Sequence, residues 1–371
     1  MMSNFNLQVA VNSTSIGQTT TNFLYNVFLK KLEPNIFPIG GIDISAFEEI
    51  LPQEFIGWLQ NCTQKAMKDY KRSYPSLKIW HINGSHETVS DNAFLYFFHE
   101  LDQITPTEKN ILSSYEGIAS PCKFTSNICE EYGVTNCQTI NLQYDSTAFK
   151  PTTVQKYENN EIVIAVVGKF EKRKHTGNVI QLLKNKFGND NKFKIHLHTF
   201  NPFFDNDPNK AMEINKQQIV NYCGGDVPHN FIMMPFVRKL VDLNKMYNMV
   251  DIVIDGSGGE SWSLPSFHIA GLGKQCVVNY NSGIKEWSTS ENSLQVQPNG
   301  KISSVDGMFF RENNPFNCGN IYDLDTEEMS KSIDVAVKRV KNSEINEEGE
   351  KLSKIFTEEK FCDELLNFIK L

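Results

Sequence analysis

Residues 246–286 read MYNMVDIVIDGSGGESWSLPSFHIAGLGKQCVVNYNSGIKE, and their order decides the fold. Residues 250–254 form an apolar, β-branched run of strand length. Gly256, Gly258 and Gly259 then supply a turn. Pro265 suits the first turn of a helix over residues 266–272, where its missing N–H costs nothing. A second strand follows at 275–278. Strand, turn, helix and strand in succession imply a parallel sheet, whose ligands gather at the carboxyl ends of the strands. The turn is not a dinucleotide fingerprint, because Ser261 stands where the third glycine of GxGxxG belongs and no acidic residue falls near Tyr280. Nor does the chain hold a GxxxxGK[ST] loop, which sets aside a P-loop ATPase.

The same alternation runs outward in both directions. Upstream, residues 161–167 form a strand before Gly168 and a helix bearing Val179, Ile180, Leu182 and Leu183. Residues 193–198 are a strand, 211–222 a helix, 231–234 an apolar run, and Leu240, Leu243 and Tyr247 line another helix. Residues 146–160, with Pro151, Thr152 and Thr153, read as a linker. Before it lie strand-like runs at 7–11, 78–82, 94–98, 114–119 and 139–142. A polar loop holding Gly17 leads to a helix with Phe23, Leu24, Val27, Phe28 and Leu29 on one side. The last thirty or so residues have helical spacing. Two blocks of alternating strands and helices predict an α/β protein with two Rossmann-like parallel-sheet domains facing a cleft.

Composition agrees with two domains. The chain has 371 residues, 40% of them hydrophobic and 11% aromatic, too apolar for a disordered segment. Its 36 Lys and Arg against 44 Asp and Glu give a net charge of −8, which argues against a general binder of nucleic acid or anionic membrane. The eight cysteines form no CxxC pair, so they read as reduced thiols rather than a zinc site. The start of the sequence has no basic then apolar leader, and no apolar run approaches the ~20 residues of a membrane span. These features predict a cytoplasmic protein. Asp205-Asn206-Asp207 spells a DxD, but among Asn and Pro residues it reads as a turn rather than a metal site. The basic run 64–78 reads as a solvated helix face, with an anionic acceptor as the alternative.

Three motifs resemble the retaining glycosyltransferases of GT-B architecture called "glycosyl transferases group 1". In 246–286, Glu260, Trp262, Leu264, Pro265, Ala270, Gly273, Gly283 and Glu286 fall in register with the family's E-x-F/W-G-x-P-x-x-E-A-x-A-x-G and N-x-G-G-x-x-E pattern. Residues 166–174, VVGKFEKRK, resemble its G-R-x-x-x-R-K-G. Residues 97–102, FFHELD, resemble the strand end that carries its histidine. The resemblance implies a donor-binding domain over 160–349, and an acceptor-side domain over 1–150 to which the C-terminal helix, 350–371, returns. A phage-type member is suggested by 306–320.

The resemblance also implies roles. Glu260 contacts sugar hydroxyls, Lys174 and Lys169 neutralise the diphosphate with Arg173 as a further cation, and His99 reaches the donor sugar. These make His99, Glu260 and Lys174 the catalytic candidates. Gly17, Ser261, Ser263 and Leu264 complete the donor site, the last three at a helix N-terminus suited to an anion. His268 stands where the family has its second glutamate, and either binds the nucleotide or is a packed helix histidine. No metal and no tightly bound cofactor are implied; the co-substrate is a nucleoside-diphosphate sugar, UDP- or GDP-linked. The acceptor is a hydroxyl, on a carbohydrate sooner than on DNA. Alternatives are transfer to hydroxymethylated bases of phage DNA, which would place the enzyme in a host cytoplasm, and a catalytically weakened sugar-nucleotide binder.

Overall fold

The computed structural model describes residues 4–157 and 160–370. The first sheet holds β1 (Asn6–Val9), β2 (Asn35–Pro38), β3 (Ser76–His81), β4 (Ala93–Phe98), β5 (Gly117–Ser120) and β6 (Cys137–Thr139), in the order β2-β1-β3-β4-β5-β6. The second holds β7 (Ile162–Val167), β8 (Phe193–His198), β9 (Phe231–Met233), β10 (Ile252–Asp255), β11 (Gln275–Asn279) and β12 (Leu294–Val296), in the order β12-β11-β10-β7-β8-β9. Every pairing in both sheets is parallel. The chain is therefore an α/β protein of two parallel sheets, as its alternating pattern predicts.

Burial on both faces explains the composition of the central strands. In β7, IVIAVV, all six residues are buried. Ile162, Ile164 and Val166 enter the core on one face, and Ala165 and Val167 the core on the other. The strand order reverses between β7 and β10, and a crevice at such a reversal is where open α/β sheets bind ligands. The loops after β7 and β10 carry the two motifs read above.

Several boundaries depart from the sequence pattern for local reasons. β2 follows Pro34 and ends on Pro38 at a sheet edge, where a missing N–H is tolerated, and it is too short for periodicity to reveal. β5 begins at Gly117 rather than near 114, because Ser114 and Tyr115 still donate to Ile111 and Leu112 at the end of the helix Pro106–Leu112. The basic run 64–78 is not one helix face. The helix Gln53–Ala66 ends within it, and Lys78 is buried in β3, where its ammonium donates to the carbonyls of Gly84 at 2.7 Å and Glu87 at 3.2 Å. β13 (Lys301–Ser303) and β14 (Asn320–Tyr322) form an antiparallel ribbon.

The linker expected over 146–160 has no regular structure up to Tyr157, and its Glu158 and Asn159 lie outside the described residues. It is nevertheless pinned. The Lys150 N–H donates to Asn244 Oδ1 at 3.2 Å, the Thr152 N–H donates to Asn248 Oδ1 at 3.0 Å, and the Phe149 ring stacks on Tyr247. The chain returns near its end. The helix Glu358–Phe368 sets Phe361 edge-on to Phe23 and Tyr96, and Phe368 edge-on to Phe94, on the first sheet. The two crossing segments touch, with the Tyr144 N–H donating to the Phe356 carbonyl at 2.7 Å. Among the described residues, no helix is long and apolar enough to cross a membrane.

Candidate active site

After β7 the chain turns at Gly168, whose φ of +112° lies in the region that favours glycine. A single helical turn, Lys172–Lys174, follows and faces Arg173 inward. Arg173 is 4% exposed. It donates to Glu260 Oε1 at 3.0 Å, to Glu171 Oε1 at 2.7 Å and to the Gly259 carbonyl, and lies 3.4 Å from Glu100 Oε1. The Lys174 ammonium donates to the same Glu260 oxygen. Lys169 is half-buried, its ammonium 5.0 Å from the centre of the Phe203 ring and 4.8 Å from that of Phe309, a cation–π arrangement.

Glu260, in the loop after β10, is the hub. Its Oε1 also accepts the Ser257 hydroxyl at 2.5 Å, and its N–H donates to the Ser282 hydroxyl at 2.8 Å. Burial pushes the Glu260 carboxyl up. The Lys174 and Arg173 charges beside it and the hydrogen bonds from Lys174 and Ser257 outweigh that and hold it at about 2. Burial lowers the Lys169 ammonium. The charges within the crevice thus nearly cancel: Glu260, Glu171 and Glu100 face Arg173, Lys174 and Lys169.

The opposite wall comes from the end of β4. His99 is 2% exposed, and among the described residues its Nε2 has no hydrogen-bond partner. Burial lowers its imidazole, so the ring is neutral at pH 7. The His99 carbonyl accepts the Ser261 hydroxyl at 2.8 Å and the Thr125 hydroxyl at 3.2 Å, which ties the two walls together. A side chain on Gly259 would meet the Glu100 carbonyl at 2.4 Å, so glycine is needed for this approach. Gly17 lies in the first turn of the helix Ser15–Leu29, where a Cβ would meet Asn12 Oδ1 at 2.2 Å. Glu286 reaches the elements around the first sheet, its carboxylate accepting the Lys123 N–H at 2.7 Å at the start of the helix Lys123–Glu131.

The ribbon of β13 and β14 crosses the cleft as well. Asp102 accepts from Lys301 at 2.8 Å and from the Asn320 N–H at 2.7 Å, and Glu108 accepts the Asn317 N–H at 2.9 Å. Leu101, Phe310 and Ile321 form a small core between the ribbon and the loop after β4. Phe309 and Phe310, in the same excursion, cover Lys169 and Arg173.

His268 lies elsewhere. It sits in the helix Leu264–Gly271, 3% exposed, its ring 4.0 Å from that of Phe149 and stacked on it, and 5.2 Å from that of Tyr144. Its Nε2 accepts the Asp145 N–H at 3.5 Å, and burial holds it at about 3. The ring is thus packed against the segment that crosses between the sheets. Ser261, Ser263 and Leu264 do lead into that helix from the crevice. The DxD of residues 205–207 spends its carboxylates on backbone: Asp205 accepts the Asp207 N–H at 2.8 Å and Asp207 the Asn209 N–H at 2.9 Å, capping the helix Pro208–Tyr222.

Asp255, Ser257, Glu171, Glu100, Phe203 and Phe309 were not legible as site residues. Only a polar residue ending an apolar strand, as Asp255 does, offered a signal.

No family model matches the chain, and no curated protein matches it. Solved structures do. Sucrose-phosphate synthase from Thermosynechococcus elongatus aligns over 98% of both chains at 11% identity, with a TM-score of 0.67. A glycosyltransferase from Rickettsia africae aligns over 99% of this chain and 98% of its own, at 13% identity and a TM-score of 0.68. HepE from Anabaena, solved with UDP and glucose, aligns over 99% of both chains at 10% identity and a TM-score of 0.61. The fold is that of the GT-B glycosyltransferases.

Proposed function

We propose that the chain is a glycosyltransferase that moves a sugar from a nucleoside-diphosphate sugar, UDP- or GDP-linked, to an acceptor hydroxyl with retention at the anomeric carbon. The observation that carries this reading is the Glu260–Lys174–Arg173 cluster at the strand-order reversal of a GT-B fold, where the Ser261 hydroxyl donates to the His99 carbonyl across the cleft. The Anabaena neighbour solved with UDP and glucose supports the donor class.

In this reading the donor lies across the carboxyl ends of β7 and β10. Lys169 and Lys174 face its diphosphate, together with the backbone of Ser261, Ser263 and Leu264 at the helix N-terminus. Arg173 holds Glu260 in place. Glu260 accepts hydrogen bonds from sugar hydroxyls, and His99 Nε2 meets the sugar from the other wall. Gly17 brings its backbone to the sugar or diphosphate at the start of its helix, the space of a Cβ being taken by Asn12. Leaving-group charge builds on the diphosphate as the glycosidic bond breaks, and fixed cations stabilise that charge in the transition state. On the same face the departing phosphate oxygen takes the acceptor proton, and the acceptor oxygen bonds to the anomeric carbon with retention. His268 serves the crossing segment rather than the nucleotide.

The test is calorimetric titration with UDP, GDP and their glucose and mannose conjugates, followed by product analysis with simple sugar acceptors. Binding of one diphosphate and a product that keeps the donor's anomeric configuration is expected. No binding to any of them, or an inverted product, overturns the reading.

A further inference from the structure

Asp255 ends β10 with a side chain that is buried, the residue being 1% exposed, and among the described residues no Lys or Arg forms an ion pair with it. Its hydrogen-bond donors are neutral, two from the turn that follows and one from the helix Leu264–Gly271. The Ser257 N–H donates to Oδ1 at 3.0 Å, the Ser266 hydroxyl to Oδ2 at 2.7 Å, and the Ser263 hydroxyl to that same Oδ2. A carboxylate without a cation is expensive to bury, and among the described residues these donors compensate it.

Ser263 has φ +69° and ψ +74°, a left-handed backbone in which a residue with a Cβ is strained. It is the junction where the crevice loop becomes the helix Leu264–Gly271, so its conformation sets the direction in which that helix leaves. At the other end of the same carboxylate, Ser257 is held by its N–H and passes its hydroxyl to Glu260 Oε1 at 2.5 Å. One buried group therefore clamps both ends of the turn that presents Glu260.

We infer that Asp255 is a positioning residue: it holds Ser263 in its left-handed conformation and Ser257 under Glu260, and so fixes the carboxylate that meets the substrate. The consequence for binding rests on the glycosyltransferase reading; the clamp itself does not.

The test combines Asp255→Ala and Asp255→Asn, each alone and with Ser263→Gly, which removes the left-handed strain. Hydrogen–deuterium exchange over residues 256–266 of the ligand-free protein reads the turn, and calorimetry with UDP reads the site. Both single variants at Asp255 are expected to speed exchange in the turn and weaken UDP binding by roughly tenfold, while β7 and β8 stay protected. Adding Ser263→Gly is expected to recover most of the lost protection and affinity. Unchanged exchange in the Asp255 variants, or a loss that Ser263→Gly leaves untouched, overturns the inference. Should Asp255→Ala fail to fold, Asp255→Asn carries the same comparison. Should UDP fail to bind the unaltered protein, the site reading fails for this donor, and the exchange data alone decide for or against the clamp.

Discussion

At the scale of single residues, Glu260 shows what side-chain type and spacing reveal and what they leave out. A glutamate shortly after a strand, with a basic turn after the preceding parallel strand, was legible as a site. That Arg173 would be buried, with its charge spent on Glu260 and Glu171, was not, since a run such as KRK looks the same whether it is solvated or enclosed. The distinction gives an expected result. In Glu260→Gln the shape is kept but Arg173 and Lys174 lose their shared anion. Transfer should fall by roughly two to three orders of magnitude, as on removal of one transition-state contact. Denaturant unfolding should show a loss of about 3 kcal/mol, the low end for breaking a buried pair, because Glu171 and Glu100 remain near Arg173. A fully stable variant would mean that the cluster is not coupled in the folded protein.

At the scale of elements, long buried strands such as β7 were plain from periodicity, whereas β2, β12 and the ribbon of β13 and β14 were not. Three or four residues cannot establish a period, and the ribbon owes its place to contacts with the other half of the chain, Asp102 and Glu108 among them. The helix Leu264–Gly271 was legible from Pro265, but the reason for Gly271 at its end appears only in three dimensions. A Cβ there would lie 2.1 Å from the Tyr144 ring. Gly271→Ala should therefore cost about 1–3 kcal/mol through overpacking, although alanine is the better helix former. A lowered unfolding midpoint in denaturant checks it, and Tyr144→Leu in the same background should return part of the loss.

For the whole molecule, buried imidazoles set the acid limit. Burial holds His196 at about 4, and His198 and His268 at about 3. All three are depressed below the ordinary value, so the unfolded chain binds more protons and stability falls with falling pH between about 6.5 and 3. By pH 5 each costs about 2 kcal/mol, at about 1.4 kcal/mol per unit below 6.5. Asp145 acts in the opposite direction. Burial raises its carboxyl to about 7, so its folded form takes up a proton first and returns about 2–3 kcal/mol by pH 5. These four groups together predict a loss of about 3 kcal/mol between pH 7.5 and 5, to which the likewise lowered His81, His99 and His175 add, measured by denaturant unfolding at the two values. His268→Phe should flatten the slope. A slope unchanged in that variant would show the imidazole to be protonated in the folded state.

The chain passes between the two sheets twice, near Tyr144 and near Phe356, and the two passages are hydrogen-bonded to each other. A body held by one tether can swivel and slide; one held by two adjacent, mutually bonded tethers keeps a single easy rotation, about the line that joins them. Any such rotation has to part the ribbon's contacts across the cleft, Lys301 on Asp102 and the Asn317 N–H on Glu108, so those pairs set how readily the cleft opens.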